Sequence, residues 1–375
     1  MSFVGSEERA RLALARRVVV KIGSRLLRDS PVGRTAALAD EIAHLRKSAG
    51  TQVTVVSSGA IALGMHVLRL PAKPAEIPRL QACAAVGQSV LMQHWERAFS
   101  VHDFAVGQVL LTHDDVDDRA RFLQARHALE ALLEYGAVPI VNENDTVATD
   151  EIKFGDNDRL AALVCNLVRA EALVILTDVD GLHDADPRAG GKRIPVVRDI
   201  DSEATPVAGG TNSGGVGTGG MASKVQAAKI AAKFGVNTVV TYGRRPDVLA
   251  SVLGGADLGT IFVPHRQPLA ARKHWIAYAQ RPSGALVVDE GARDALVKQQ
   301  KSLLPSGIRE VRGRFAAGEA VSVIDPAGAE FARGICAYSA EDVDKIRGKR
   351  SADIAAALGY KYVDEVIHRD DLVVL

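Results

Sequence analysis

Val18-Val19-Val20-Lys21-Ile22-Gly23-Ser24 is a β-branched run that ends in a lysine and a glycine. Three consecutive valines favour a strand buried on both faces, because nothing in them alternates between apolar and polar. A lysine closing such a run is expensive to bury unless its ammonium meets an anion. Gly23 lets a ligand approach the backbone, and the N–H groups beside it could face a phosphate. A lysine that snorkels to the surface fits the same seven residues.

Similar runs recur at 52–56, 106–111, 138–141, 172–176 and 238–241, with amphipathic stretches between them, among them 36–48, 119–133 and 158–167. Apolar strands separated by helices read as βα units around a mainly parallel sheet covered on both faces. Ligands of such sheets bind beyond the carboxyl ends of the strands. The pattern changes near Pro264. Residues 264–274 hold two prolines and few apolar side chains, as a linker would, and from Trp275 short strand-like pieces at 285–288, 319–324 and 331–337 alternate with Gly and Pro turns. The expected organisation is a first domain over 1–263, a linker over 264–274 and a small β-rich domain over 275–375. The one low-complexity stretch is GGTNSGGVGTGG (209–220), inside the first domain.

Composition sets limits on function. The chain has 375 residues, 47% hydrophobic and 24% charged, the balance of a globular protein large enough for a substantial core. Its formal net charge of +1 supplies no field to gather nucleic acid or an acidic membrane. Cys83, Cys165 and Cys336 are far apart, odd in number and without metal-ligand spacing, so buried free thiols in a reducing compartment are expected, and no protein metal site. The N-terminus MSFVGSEERARLALARR is charged and lacks an apolar h-region, and no apolar run reaches about 18 residues. A soluble, cytoplasmic protein is expected.

Four further stretches carry chemistry. In VVSSGAIA (55–62) a strand runs into hydroxyl residues and a glycine where a helix begins; free N–H groups there favour an anion, and Ser57 or Ser58 could equally be an N-cap. NENDTVATDEIKFGDND (142–158) follows a strand and is dense in Asn and Asp, which suit an α-amino group or Mg²⁺, or a solvated turn. LTDVDGL (176–182) ends a strand in Thr-Asp, a position open to a nucleotide. GTGGMASK (217–224) is a glycine loop opening a helix with a lysine in its first turn, a phosphate-binding arrangement that is not GxxxxGK[ST]. Two lysines on Gly-bearing elements, with Asp and Asn clusters, are the parts that phosphoryl transfer needs.

Taken in order over about 250 residues, VVVKIGS (18–24), VVSSGAIALG (55–64), AVGQ (85–88), VGQVLLT (106–112), VPIVNENDTVAT (138–149), KFGDND (153–158), LTDVDGL (176–182), ADPR (185–188) and GTGGMASK (217–224) resemble the glutamate 5-kinase family of the amino acid kinase superfamily. SLLPSGI (302–308), RGRFAAGEAV (312–321) and HRDD (368–371) resemble the PUA domain attached to many of its members. The resemblance implies an amino acid kinase-like αβα sandwich with a mainly parallel central sheet, plus a small β-rich PUA domain at the C-terminus. It implies that Lys21 and Lys224 bridge the ATP phosphates and that Asp158 orients them. Thr177 and Asp178, with Thr218, Gly219, Gly220, Met221, Ala222, Ser223 and Lys224, would contact the nucleotide. Ser58, Asp145 and Asn157 would bind glutamate, with Asp156 helping to hold the substrate region. Ser57 departs from the threonine of many members but keeps the hydroxyl.

The implied reaction turns ATP and L-glutamate into ADP and L-glutamyl 5-phosphate, the first step of proline biosynthesis, with Mg²⁺ as cofactor. Feedback inhibition by proline and a homo-oligomer, tetramer or dimer, are implied as well. Two other readings compete. One keeps the fold and changes the acceptor to another amino acid or a carbamate-like anion. The other makes the chain an RNA binder through its C-terminal domain. Residues 275–375 hold 14 Lys and Arg against 15 Asp and Glu, which argues against that strongly basic footprint.

Overall fold

The computed structural model describes residues 6–28, 31–148, 157–208, 220–264 and 282–375. Most of the 264–274 linker therefore lies outside the described residues. The chain divides into two compact units, one of Met1–Asp114 with Ala128–Pro268, the other of Asp115–His127 with Leu269–Leu375.

The first unit is built on an eight-stranded sheet in the order β3-β4-β2-β1-β5-β7-β8-β6. Its strands are β1 (Arg17–Ile22), β2 (Gln52–Ser57), β3 (Val106–Leu111), β4 (Val138–Glu143), β5 (Ala172–Thr177), β6 (Val196–Val197), β7 (Asn237–Tyr242) and β8 (Thr260–Phe262). The pairings from β3 through β7 are parallel, β8 runs antiparallel to β7, and β6 is parallel to β8. The expected mainly parallel sheet is what forms. β1, β2, β4 and β5 are mostly apolar, rich in valine, isoleucine and leucine, and they occupy the centre, buried over nearly their whole length.

Successive side chains of a strand leave opposite faces. Val18, Val20 and Ile22 of β1, with Val53, Val55, Val174 and Leu176, pack under Leu38, Ile42, Leu91, Trp95 and Phe99 from the helices Pro31–Ala49 and Ile77–Ser100. On the other face, the helices Asn157–Leu167 and Met221–Lys233 pack against each other, the first also against β1 and the second against β7. Lys21 falls on this second face by parity. Both helices start at the carboxyl edge of the sheet, so the positive ends of their dipoles lie there.

The second unit carries a separate five-stranded sheet in the order β10-β9-β11-β12-β13. Its strands are β9 (Gly284–Val288), β10 (Ile308–Gly313), β11 (Ala320–Ile324), β12 (Glu330–Ile335) and β13 (Leu372–Val374). Leu286, Val288, Val321, Val323, Tyr338 and Ile346 are among its core residues. The helices Glu290–Gln299 and Ala340–Ile346 complete a unit read from sequence as strands and turns. Asp289 caps the first by accepting the Ala292 N–H at 2.8 Å, and Ser339 caps the second.

All three cysteines are buried and free, and burial pushes the Cys336 thiol up to about 12. Among the described residues no helix is long and apolar enough to cross a membrane.

Candidate active site

β1 ends at Ile22, and the chain must turn hard against β5. Gly23 donates its N–H to the Leu176 carbonyl at 3.0 Å, and a Cβ on Gly23 would stand 3.3 Å from that same oxygen. Glycine suits this close approach. One residue before Ile22 and on the opposite face, Lys21 is buried, with its Nζ 2.5 Å from Asp158 Oδ1. Lys224, in the first turn of the helix Met221–Lys233, reaches the other oxygen, Asp158 Oδ2, at 3.0 Å. Ser223 donates its hydroxyl to the same Oδ2 at 2.9 Å. Two ammonium groups from elements 203 residues apart in sequence (224 − 21) thus converge on one carboxylate.

Asp158 is fully buried, in the first turn of the helix Asn157–Leu167. Burial alone would raise its carboxyl, but the charges of Lys21 and Lys224 and their hydrogen bonds outweigh it and hold Asp158 well below the usual carboxylate range. The helix N-terminus favours the same negative charge. A buried ionic cluster of this kind adds little stability over an apolar one of equal volume. It does fix two cations at a defined spacing beside the strand ends, where a phosphate chain would lie.

Asn157, the neighbour of Asp158, turns the other way. Its Nδ2 donates to the Ser57 carbonyl at 2.8 Å and to Asn142 Oδ1 at 2.6 Å. Asn142 Nδ2 donates in turn to Gln88 Oε1 at 2.8 Å. This amide chain ties together the ends of β2 and β4 and the helix Ile77–Ser100. Ser58 follows directly, half-buried, and Gly59 adopts φ +108 to let the helix Ala60–Val67 begin. Ser57 itself is buried, and its hydroxyl accepts from Trp95 Nε1 at 3.2 Å, so the residue that departs from threonine faces the core. Asp145 lies half-buried just beyond β4. The first helix turn, at 157–158, therefore joins the buried amide chain to a pair of lysines.

Thr177 closes β5, buried, and its hydroxyl donates to Asp178 Oδ1 at 3.2 Å. Asp178 is more exposed and pairs with Arg25 at 2.6 Å, tying the end of β5 to the helix Ser24–Arg28 that follows β1. Partial burial works to raise the Asp178 carboxyl, and the Arg25 hydrogen bond and charge overcome it, so it lies below its ordinary value. Gly220 is the N-cap of the helix that Met221, Ala222, Ser223 and Lys224 open. Thr218, Gly219 and Asp156 lie outside the described residues.

The structure thus gathers Lys21, Lys224, Asp158 and Ser223 into one cluster and sets Asn157 and the Ser57-Ser58 turn beside it. Thr177 and Asp178 stand at the adjoining strand end. Gln88, Asn142 and Arg25 were not singled out as site residues from sequence. AVGQ and NEND pointed to the first two only as motifs, since their pairing depends on a contact 54 residues apart. Among the described residues no group of three His, Cys, Asp or Glu could hold a metal ion.

Residues 16–242 match the amino acid kinase family, and residues 284–358 match the PUA domain. The chain belongs to the amino acid kinase family, with a PUA domain following the kinase fold. Within it, the chain groups with the glutamate 5-kinases. It is 52% identical to the glutamate 5-kinase of Myxococcus xanthus over 377 residues, covering 99% of each chain. It is 50% identical to that of Geobacter sulfurreducens, over 97% of this chain and 99% of the relative, and 49% to that of Pelobacter propionicus, over 96% and 98%.

Proposed function

We propose that this protein transfers the γ-phosphoryl group of ATP to the side-chain carboxylate of L-glutamate, giving ADP and L-glutamyl 5-phosphate, the first step of proline biosynthesis from glutamate. The observation that carries this is Asp158 holding Lys21 and Lys224 together beside Asn157 and the Ser57-Ser58 turn. The attacking carboxylate is already ionised at neutral pH, with an ordinary glutamate pKa near 4.3. No general base is needed, so catalysis is alignment plus neutralisation of charge on the transferring group. Lys21 and Lys224 would bridge the phosphates, and Asp158 would hold both ammonium groups in place. Thr177, Asp178 and the stretch from Thr218 through Gly219, Gly220, Met221, Ala222 and Ser223 to Lys224 would hold the nucleotide. Ser58, Asp145 and Asn157 would hold glutamate, with Asp156 supporting that side.

Asp158 is engaged by two lysines and is a poor Mg²⁺ ligand. Mg²⁺ fits better as part of the Mg·ATP substrate, carried by phosphate oxygens and water, as this ion usually is. In this reading residues 1–263 bind both substrates and carry catalysis, 264–274 link, and 275–375 form the PUA domain. Proline would inhibit at or near the glutamate site, and the protein would work as a homo-oligomer, a tetramer or dimer.

A coupled assay of ADP release with Mg·ATP and a panel of amino-acid and small carboxylate acceptors tests this. Glutamate-dependent turnover that proline suppresses is the expected result. Silence with glutamate beside turnover of another acceptor would reject the choice of substrate while leaving the kinase chemistry.

A further inference from the structure

The buried amide chain has a direction, and the direction is set by one atom. The Ser57 carbonyl can accept a hydrogen bond and never donate one, so the Asn157 group facing it at 2.8 Å is the NH₂. The second hydrogen of that NH₂ goes to Asn142 Oδ1 at 2.6 Å. Asn142 must then present its own NH₂ to the far side, where Gln88 Oε1 receives it at 2.8 Å. The three amide orientations follow from a fixed backbone acceptor rather than from a choice between indistinguishable atoms. Asn157 commits both amide hydrogens inward, which leaves its Oδ1 as the atom it can offer a ligand.

The helix bearing Gln88 is pinned close to the acceptor side. A Cβ on Gly87 would lie 1.8 Å from the Ala60 carbonyl, so the backbone at 87 touches the first turn after Ser58-Gly59. Gln88 Nε2 is buried with no partner among the described residues, so the part Gln88 plays in the chain rests on its oxygen. Without that acceptor, the Asn142 NH₂ would lose its partner in a buried site, and Asn142 would be held only through its Oδ1. An Asn142 held at one end only grips the Asn157 NH₂ less firmly, and the Ser57 carbonyl is left to orient Asn157 largely alone.

We propose that Gln88 is a positioning residue for substrate choice. Acting through Asn142, it steadies Asn157 in the orientation that the Ser57 carbonyl sets, with its carbonyl oxygen toward the acceptor pocket, which makes the site select an acceptor bearing a positively charged α-ammonium over the same dicarboxylate without one. This rests on the reading of glutamate as acceptor, and it adds the residue that enforces recognition of the amino group.

The test compares L-glutamate with glutarate, its analogue lacking the amino group, as a competitive inhibitor. Gln88→Met removes the acceptor at similar volume, Gln88→Ala removes it with a smaller side chain, and Gln88→Glu keeps an oxygen for the Asn142 NH₂. In Q88M and Q88A the KM for glutamate is expected to rise at least tenfold, about 1.4 kcal/mol, while the glutarate inhibition constant stays within threefold. In Q88E the ratio of the two constants is expected to stay within threefold of wild type, whatever the added charge does to both. ATP-induced thermal stabilisation reports in each variant that the fold and nucleotide side persist. Equal weakening of glutamate and glutarate in Q88M and Q88A, or no change in either, overturns the proposal. A wild-type protein that ATP stabilises but that neither binds nor phosphorylates glutamate overturns the acceptor reading instead.

Discussion

At the scale of single residues, Asp158 is asked to do two things that separate experimentally. It is buried and holds two ammonium groups, so Asp158→Asn leaves two cations around a neutral amide. Breaking a buried ion pair by removing one partner costs about 3–5 kcal/mol, and chemical denaturation should show a loss of that order. The pH dependence follows from the sign of the shift. The folded-state carboxyl is held below its unfolded value near 3.9, so the unfolded chain binds the proton first. The contribution of Asp158 is therefore complete above about pH 5 and is lost as pH falls below about 4. The gap in melting temperature between wild type and D158N should narrow as pH falls through that window, and a gap independent of pH would contradict the assignment. Lys21→Ala and Lys224→Ala address catalysis. Losing one preorganised charge-stabilising donor lowers kcat by roughly 10²–10³. Steady-state kinetics at saturating substrates should show that loss in either variant, with the KM for glutamate changed by only about threefold; near-wild-type turnover would remove both lysines from the mechanism.

Among elements, the contact that shapes the acceptor side is the crossing of the helices Ala60–Val67 and Ile77–Ser100. They meet backbone to backbone, since a Cβ on Gly64 would stand 1.8 Å from the Cys83 carbonyl and one on Gly87 equally close to that of Ala60. Gly87→Ala must push the helices apart, and overpacking typically costs about 1–3 kcal/mol. Because Ala60 opens the turn that carries Ser58, the KM for glutamate should rise together with the loss of stability seen in denaturation. Gly291→Ala, whose Cβ would meet Asp289 Oδ1 at an ordinary 3.4 Å within a helix, should be neutral or stabilise by up to about 1 kcal/mol. Local pattern revealed the elements unevenly, for physical reasons. β1, β2, β4 and β5 are buried on both faces and read as short stretches rich in valine, isoleucine and leucine. β6, with two residues, and β8, with three, are too short to show a period. β10, IREVRG, exposes most of its charged side chains and looks like a loop. The helix Pro31–Ala49 starts ahead of the expected residue 36, because Pro31 and Gly33 read as breakers although proline is tolerated in a first turn. The strand-end lysine and the glycine loop were legible because phosphate chemistry leaves a local signature. The Gln88–Asn142–Asn157 chain was not, since an amide says nothing of its partner until the fold supplies one.

Over the whole molecule, the grouping of residues Asp115–His127 with the C-terminal unit is a feature that no local pattern announces. A run from the middle of the chain is held by tertiary contact to residues near its end. Within that unit, Arg126 Nη1 lies 3.2 Å from Asp371 Oδ2, with both side chains less than a tenth exposed (4% and 8%). The Arg126 guanidinium also stands 4.7 Å from the centre of the Phe122 ring, so its removal takes away packing as well as charge. A single substitution cannot separate these effects, and a double-mutant cycle can. Arg126→Met and Asp371→Leu should each destabilise the full-length protein by about 3 kcal/mol, because each leaves a buried charge that has lost a partner. The double variant should be more stable than the sum of the two losses predicts, by at least about 1 kcal/mol. Hydrogen exchange of the β9, β11 and β12 amides reads this directly: protection should drop in each single variant and recover in part in the double. Additive losses, or singles within about 0.5 kcal/mol of wild type, would mean that the 115–127 segment is joined to the C-terminal unit by apolar packing rather than by this ion pair.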